Sequence, residues 1–158
     1  MRRRALWLTL FLTPLVATCG REAPGPSGPS PGVSFLEGAW SGTLTIERAG
    51  EPTSSGPVTW TFKAVDGTNL QSFTVTIQSQ HPWLPITTTV SSAITPSNQP
   101  PARVSTQGDY RSPRGCTGSL LSVANADART IEGDFAGVDC LTVPNSTFTG
   151  RVTLMKVG

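Results

Sequence analysis

Few residues in this chain could do chemistry. There is one histidine, His81, held between Gln80 and Pro82. A serine–histidine–acid relay would have to use it. Nothing around it has the strand-turn-helix nucleophile pattern or the His/Cys spacing of a zinc site, so it reads as a residue of a loop or rim. Glu132, Asp134 and Asp139 form an acidic set. Glu132 and Asp134 alternate with Ile131 and Phe135 and so face solvent on a strand. Acid–base catalysis needs a carboxyl buried to raise its pKa, and this alternation supplies none. Asp139 gives a weak signal for a calcium loop. No glycine-rich phosphate loop is present. The expectation is a non-enzymatic chain with no cofactor and no metal.

Charge narrows the partners. The formal net charge is +2, from 12 basic and 10 acidic residues. Three of the basic residues are Arg2, Arg3 and Arg4, at the head of a leader-like segment. From Cys19 onward there are nine basic and ten acidic groups, a net charge near −1. Nucleic-acid binding rests on many cationic phosphate contacts, so no nucleic-acid partner is expected. Arg111 and Arg114, within Tyr110-Arg111-Ser112-Pro113-Arg114, read as a solvated loop.

The elements that must position any site follow three compositional zones. Residues 1–18 join a basic start to the apolar run Ala5–Val16, too short to span a bilayer permanently and interrupted by Pro14. Leu15-Val16-Ala17-Thr18-Cys19-Gly20 resembles a bacterial lipobox. That resemblance implies cleavage before Cys19 and acylation of Cys19 by palmitate-like chains. Two or more acyl chains anchor a protein stably where one does not. Gly20, which is not Asp, points by the same resemblance to the outer membrane, facing the periplasm or the cell surface. An ordinary secretory signal cut after Ala17 or Thr18 is the alternative. Residues 19–34 alternate Pro with Gly and Ser and carry no apolar periodicity, as a flexible tether does.

Residues 35–158 read as a barrel domain. In Gly38-Ala39-Trp40-Ser41-Gly42-Thr43-Leu44-Thr45-Ile46, Trp40, Leu44 and Ile46 share one parity and the hydroxyl residues the other. Period-two spacing gives a half-buried strand, expected over Ala39–Arg48. Val58, Trp60, Phe62 and Ala64 repeat the pattern, after a loop expected from Ala49 to Pro57. Phe73, Val75 and Ile77 give a third strand, set off by a hairpin signal at Asp66-Gly67. Residues 86–94, 103–110, 115–123, 130–138 and 148–154 supply five more, with a turn expected at Asn125-Ala126-Asp127. Eight strands with short connections predict an all-β, antiparallel up-and-down barrel, the last strand closing on the first. A β-sandwich is the alternative.

An exported chain meets an oxidising compartment. With Cys19 taken by lipid, Cys116 and Cys140 are left to pair, at the start of the sixth strand and the end of the seventh. Zinc is the other use for two thiols, and no histidine stands near them.

Gly38-Ala39-Trp40 on a first strand resembles the Gly-x-Trp signature of lipocalin-like, or calycin, barrels. The resemblance implies a basic residue near the end of the last strand packed over the tryptophan, and Lys156 has the parity for it. Gly108-Asp109-Tyr110 resembles that family's Thr-Asp-Tyr turn, with Gly in place of Thr. It also implies a lining of Trp40, Leu44, Trp60, Phe62, Phe135, Phe148, Val152 and Leu154 around a small apolar ligand. The same residues could instead fill a solid core, since eight-stranded barrels do either. A second class of function is a periplasmic interaction module such as a protease inhibitor, docking an envelope protein through Pro24–Ser34 or His81–Pro85.

Overall fold

The computed structural model of the chain describes residues 34–65, 71–95, 101–112, 115–139 and 146–158. The leader, Cys19, residues 20–33 of the tether, Asp66-Gly67, Arg114 and Cys140 lie outside the described residues.

Among the described residues, eight strands follow a 3-10 turn at Ser34–Leu36. They are β1 (Gly38–Glu47), β2 (Ser54–Ala64), β3 (Ser72–Ser79), β4 (Thr87–Thr95), β5 (Ala102–Arg111), β6 (Thr117–Ala126), β7 (Thr130–Asp139) and β8 (Ser146–Lys156). Each pairs antiparallel with the next, and β8 pairs with β1, so the sheet closes in the order of the sequence. Closure places Gly42 opposite Leu154 and Leu44 opposite Val152. The sandwich alternative is thereby excluded.

Alternation does the work it promised. Inward positions are buried and form one apolar core from Leu36 to Leu154, while the intervening Ser and Thr residues point outward. The inward positions mix bulky rings with glycines. Gly118 leaves room for the Tyr110 ring, which a Cβ there would overlap, and the Tyr110 hydroxyl donates to the Val138 carbonyl at 3.0 Å.

Three local expectations are corrected. Residues 54–57, expected in a loop, open β2. Pro57 is tolerated because the β2–β3 ladder ends at Val58↔Ser79; its missing N–H lies just past that ladder, and its carbonyl accepts from Gln80 N at 3.0 Å. The turn expected at 125–127 moves on to Asp127–Arg129, because Ala126 still pairs with Ile131. There the Asp127 carboxylate accepts from the amides of Arg129 and Thr130, both at 2.7 Å, which holds its pKa below the usual range. Gly108-Asp109-Tyr110 is not a turn. It lies within β5, pairing with Leu120, Ser119 and Gly118.

Candidate functional site

An up-and-down barrel has two ends. The lower end carries the start of β1 and the end of β8; the mouth carries the end of β1 and the starts of β2 and β4. At the lower end Trp40 is fully buried, and its indole N–H donates to the Leu36 carbonyl at 2.8 Å. Lys156 stands 4.7 Å from the centre of the Trp40 ring. Its ammonium donates to the carbonyls of Phe35, at 2.8 Å, and Glu37. Burial pushes its pKa down. Lys156 packs over Trp40 as the resemblance of Gly38-Ala39-Trp40 implied, and its bonds to Phe35 and Glu37 also clasp the 3-10 turn across this end.

The interior wall carries a feature that the sequence did not announce. Ser92, Thr106 and Ser122 lie side by side in register on β4, β5 and β6, all buried. Ser92 Oγ donates to the Ser105 carbonyl at 3.1 Å and lies 3.0 Å from Thr106 Oγ1; Ser122 Oγ donates to the Asp134 carbonyl at 2.8 Å. Elsewhere the lining is apolar, with aliphatic side chains and contacting rings. Trp60 and Phe62 rings are 6.1 Å apart, Phe62 and Phe73 6.2 Å, and Phe135 and Phe148 stack at 5.9 Å. Trp40, Leu44, Trp60, Phe62, Phe135, Phe148, Val152 and Leu154 all belong to this core. Trp60 differs from Trp40 in one respect: its Nε1–H is buried with no hydrogen-bond partner.

The mouth is covered. The connection from β3 to β4 turns inward, so that His81 and Leu84 are fully buried. His81 therefore sits at the rim, as its loop position suggested, but is wholly withdrawn from solvent. Gly56 on β2 makes this possible: a Cβ there would come within 2.6 Å of His81 Cα. The His81 ring is fixed at both nitrogens. Nδ1 accepts from the Trp83 amide at 3.0 Å, and Nε2 is 3.0 Å from the Ser54 carbonyl, so Nε2 carries the proton. Burial, together with the nearby Arg48 guanidinium, pulls its pKa below the usual histidine value, against the opposing effect of the Ser54 carbonyl.

Arg48, just past β1, completes the closure. It pairs with Asp139 at the end of β7, donates to the Trp83 carbonyl at 3.2 Å, and lies 4.8 Å from the centre of the Trp83 ring. In an eight-stranded barrel β3 and β7 are diametrically opposed. The Trp83–Arg48–Asp139 chain of contacts therefore reaches across the opening. Asp139, grouped by sequence with Glu132 and Asp134, parts from them: those two are exposed, Asp139 is not. Among the described residues no group of three or more His, Cys, Asp or Glu is placed to share a metal ion. Spacing could not reveal the Arg48–Asp139 pair, because 91 residues separate its members.

Beside the mouth is a cleft of about 620 Å³ lined by Ser79, Gln80, Pro85, Ile86, Thr87, Arg111 and Ser112. It opens because the β4–β5 ladder stops at Ser91↔Gln107 although both strands run on to the rim. A side chain bridges the seam instead: Thr88 Oγ1 donates to the Asp109 carbonyl at 2.8 Å. Comparison with known proteins finds no matching family model, no matching curated protein and no matching solved structure.

Proposed function

We propose that this chain is a lipid-tethered barrel of the bacterial cell envelope, lipocalin-like in design. Its interior binds a small, mostly apolar molecule bearing one hydrogen-bond acceptor, and it performs no catalysis. The observation that carries this reading is the buried, unpartnered Nε1–H of Trp60 inside a closed aromatic barrel. A buried donor left without an acceptor costs about 1–3 kcal/mol. An acceptor oxygen on a bound molecule would recover that cost, and the aromatic lining suits an apolar body. The Trp40–Lys156 clasp supports the lipocalin-like assignment. The basic start, apolar run and Cys19 support export and acylation, with the outer membrane as destination. His81, with both ring nitrogens occupied and no solvent access, supports a role other than general base.

The pairing of Cys116 with Cys140 belongs to the same proposal. The β6–β7 ladder sets Ser119 opposite Val138, so Cys116, just before β6, and Asp139, just before Cys140, stand at one end of it.

The test is binding to the full chain in detergent, read by native mass spectrometry and by an apolar fluorophore, with envelope lipid extracts as the source of ligand. Saturable binding at one equivalent is expected, weakened about fivefold or more in Trp60→Phe by loss of one hydrogen bond worth about 1 kcal/mol. No saturable binding, together with a Trp60→Phe variant more stable than the parent, would mean that the rings simply fill a solid core.

A further inference from the structure

The segment from Gln80 to Ile86 spans the mouth; a pair of backbone hydrogen bonds between Ser79 and Ile86 closes its base, and the contacts that hold it over the opening run through His81, Trp83 and their immediate neighbours. We propose that this segment is an acid-released strap: protonation of His81 frees it from the mouth and opens the barrel interior.

The geometry assigns His81 this role because both of its ring nitrogens are committed. The Trp83 amide points its hydrogen at Nδ1. An imidazolium carries hydrogen on both nitrogens, so a proton arriving at Nδ1 meets the amide hydrogen head-on. That bond is lost and the Trp83 backbone must swing away. The Nε2–H to Ser54 bond survives protonation, so the strap is released at its Trp83 side while His81 stays tethered to β2. Leu84, whose amide donates to the His81 carbonyl at 3.0 Å, is carried with it.

The charges around His81 act in the same direction. From just past β1, Arg48 contacts the same Trp83 ring whose centre lies 5.8 Å from that of the imidazole. From β7, Asp139 is already bound to Arg48. From β2 come only the Ser54 carbonyl and the Gly56 backbone, and from β3 the Ser79 hydroxyl, which accepts from the His81 amide at 3.2 Å. β5 carries Arg111 at the neighbouring cleft, where its side chain is exposed to solvent. An imidazolium in the closed mouth thus meets the Arg48 guanidinium, whose own carboxylate partner is already engaged.

A second feature lets the strap move. The residues that follow it, Thr87 to Val90, lie beyond the point where the β4–β5 ladder stops. That stretch is held to β5 by the Thr88 side chain. The strap and the top of β4 can therefore hinge from β3 without breaking a barrel ladder on the far side.

The direction with pH follows by linkage. The closed form keeps His81 neutral below its ordinary pKa of about 6.5, while the open form takes up the proton there. Above that pH the strap is closed. As pH falls below it, the opening constant rises by up to tenfold per pH unit, until the closed form itself is protonated. Opening does not depend on the interior binding site; only its use to admit or release a molecule rests on that reading.

The experiment is NMR of the ¹⁵N-labelled full chain, without ligand, from pH 7.5 to 5. The imidazole ¹⁵N shifts of His81 should show the neutral Nε2–H tautomer at pH 7.5. Amide protection at Trp83 and Leu84, corrected for the intrinsic exchange rate, should fall severalfold to tenfold per unit below pH 6.5, with Val75 and Val152 unchanged. In His81→Phe the protection should lose that pH dependence. The proposal is overturned if His81 becomes an imidazolium while Trp83 and Leu84 stay protected, if Val75 and Val152 lose protection in parallel, or if His81→Phe opens with the same profile. Should that variant fail to fold, the wild-type imidazole and amide profiles decide alone. A molecule that binds equally well at both pH values while the strap opens would count against the interior site and leave the strap standing.

Discussion

Replacing Asp139 by alanine removes a fully buried carboxylate from a guanidinium whose side chain is only 11% exposed. What remains around Arg48 is the Trp83 carbonyl and the face of the Trp83 ring, while its Nε already lacks a partner. Breaking a buried ion pair by deleting one member costs about 3–5 kcal/mol, because the surviving charge is left in a poor solvent. Arg48 retains a small opening to water and its ring contact, which places the expected loss near the lower bound, at about 3 kcal/mol. The assay is urea unfolding followed by circular dichroism. With a slope of about 1.5 kcal/mol/M for a small domain, the midpoint should fall by about 2 M. The companion variant Arg48→Met/Asp139→Leu removes both charges and keeps apolar bulk. It should recover most of the loss, since apolar replacement of a buried pair is often close to neutral. A single variant within about 1 kcal/mol of the parent would refute the reasoning, as would a double variant as unstable as the single one.

Lys156→Met should lower stability by about 1–2 kcal/mol, through loss of the ring contact and the two carbonyl bonds that clasp the 3-10 turn; amide exchange at Leu36 and Glu37 should rise before that at Val75. Cys116 and Cys140 should resist alkylation in the native full chain, and reduction should raise the mass by about two hydrogens. Closing a loop of about 25 residues should make the oxidised form about 3.5 kcal/mol more stable by the chain-entropy account; labelling of both cysteines without reductant would remove the pairing.

Stepwise alternation made the barrel legible. A strand with one face on a core repeats with period two, and that repeat is local, so Trp40, Leu44 and Ile46 or Val58, Trp60 and Phe62 state their own inward face. The short connections between eight such segments left neighbouring strands to pair in order, and closure of β8 on β1 leaves no edge exposed. The resemblance of Gly38-Ala39-Trp40 implied a basic residue over Trp40, and parity then singled out Lys156, which required only the first and last strands to meet.

What the chain order could not state is what folds over the ends of the cylinder. His81 looked like a rim residue because its neighbours are prolines and polar groups. Its burial depends on Gly56, 25 residues earlier, yielding the space. Asp139 offered only a weak signal for a calcium loop until the fold brought Arg48 beside it. The hydroxyl row of Ser92, Thr106 and Ser122 exists only once the register of β4, β5 and β6 is set. Local sequence determined which way each side chain points along its own strand. Tertiary structure alone decided which distant side chains meet, because pairing energies between charges, rings and hydroxyls depend on distance in space and leave no periodic mark along the chain.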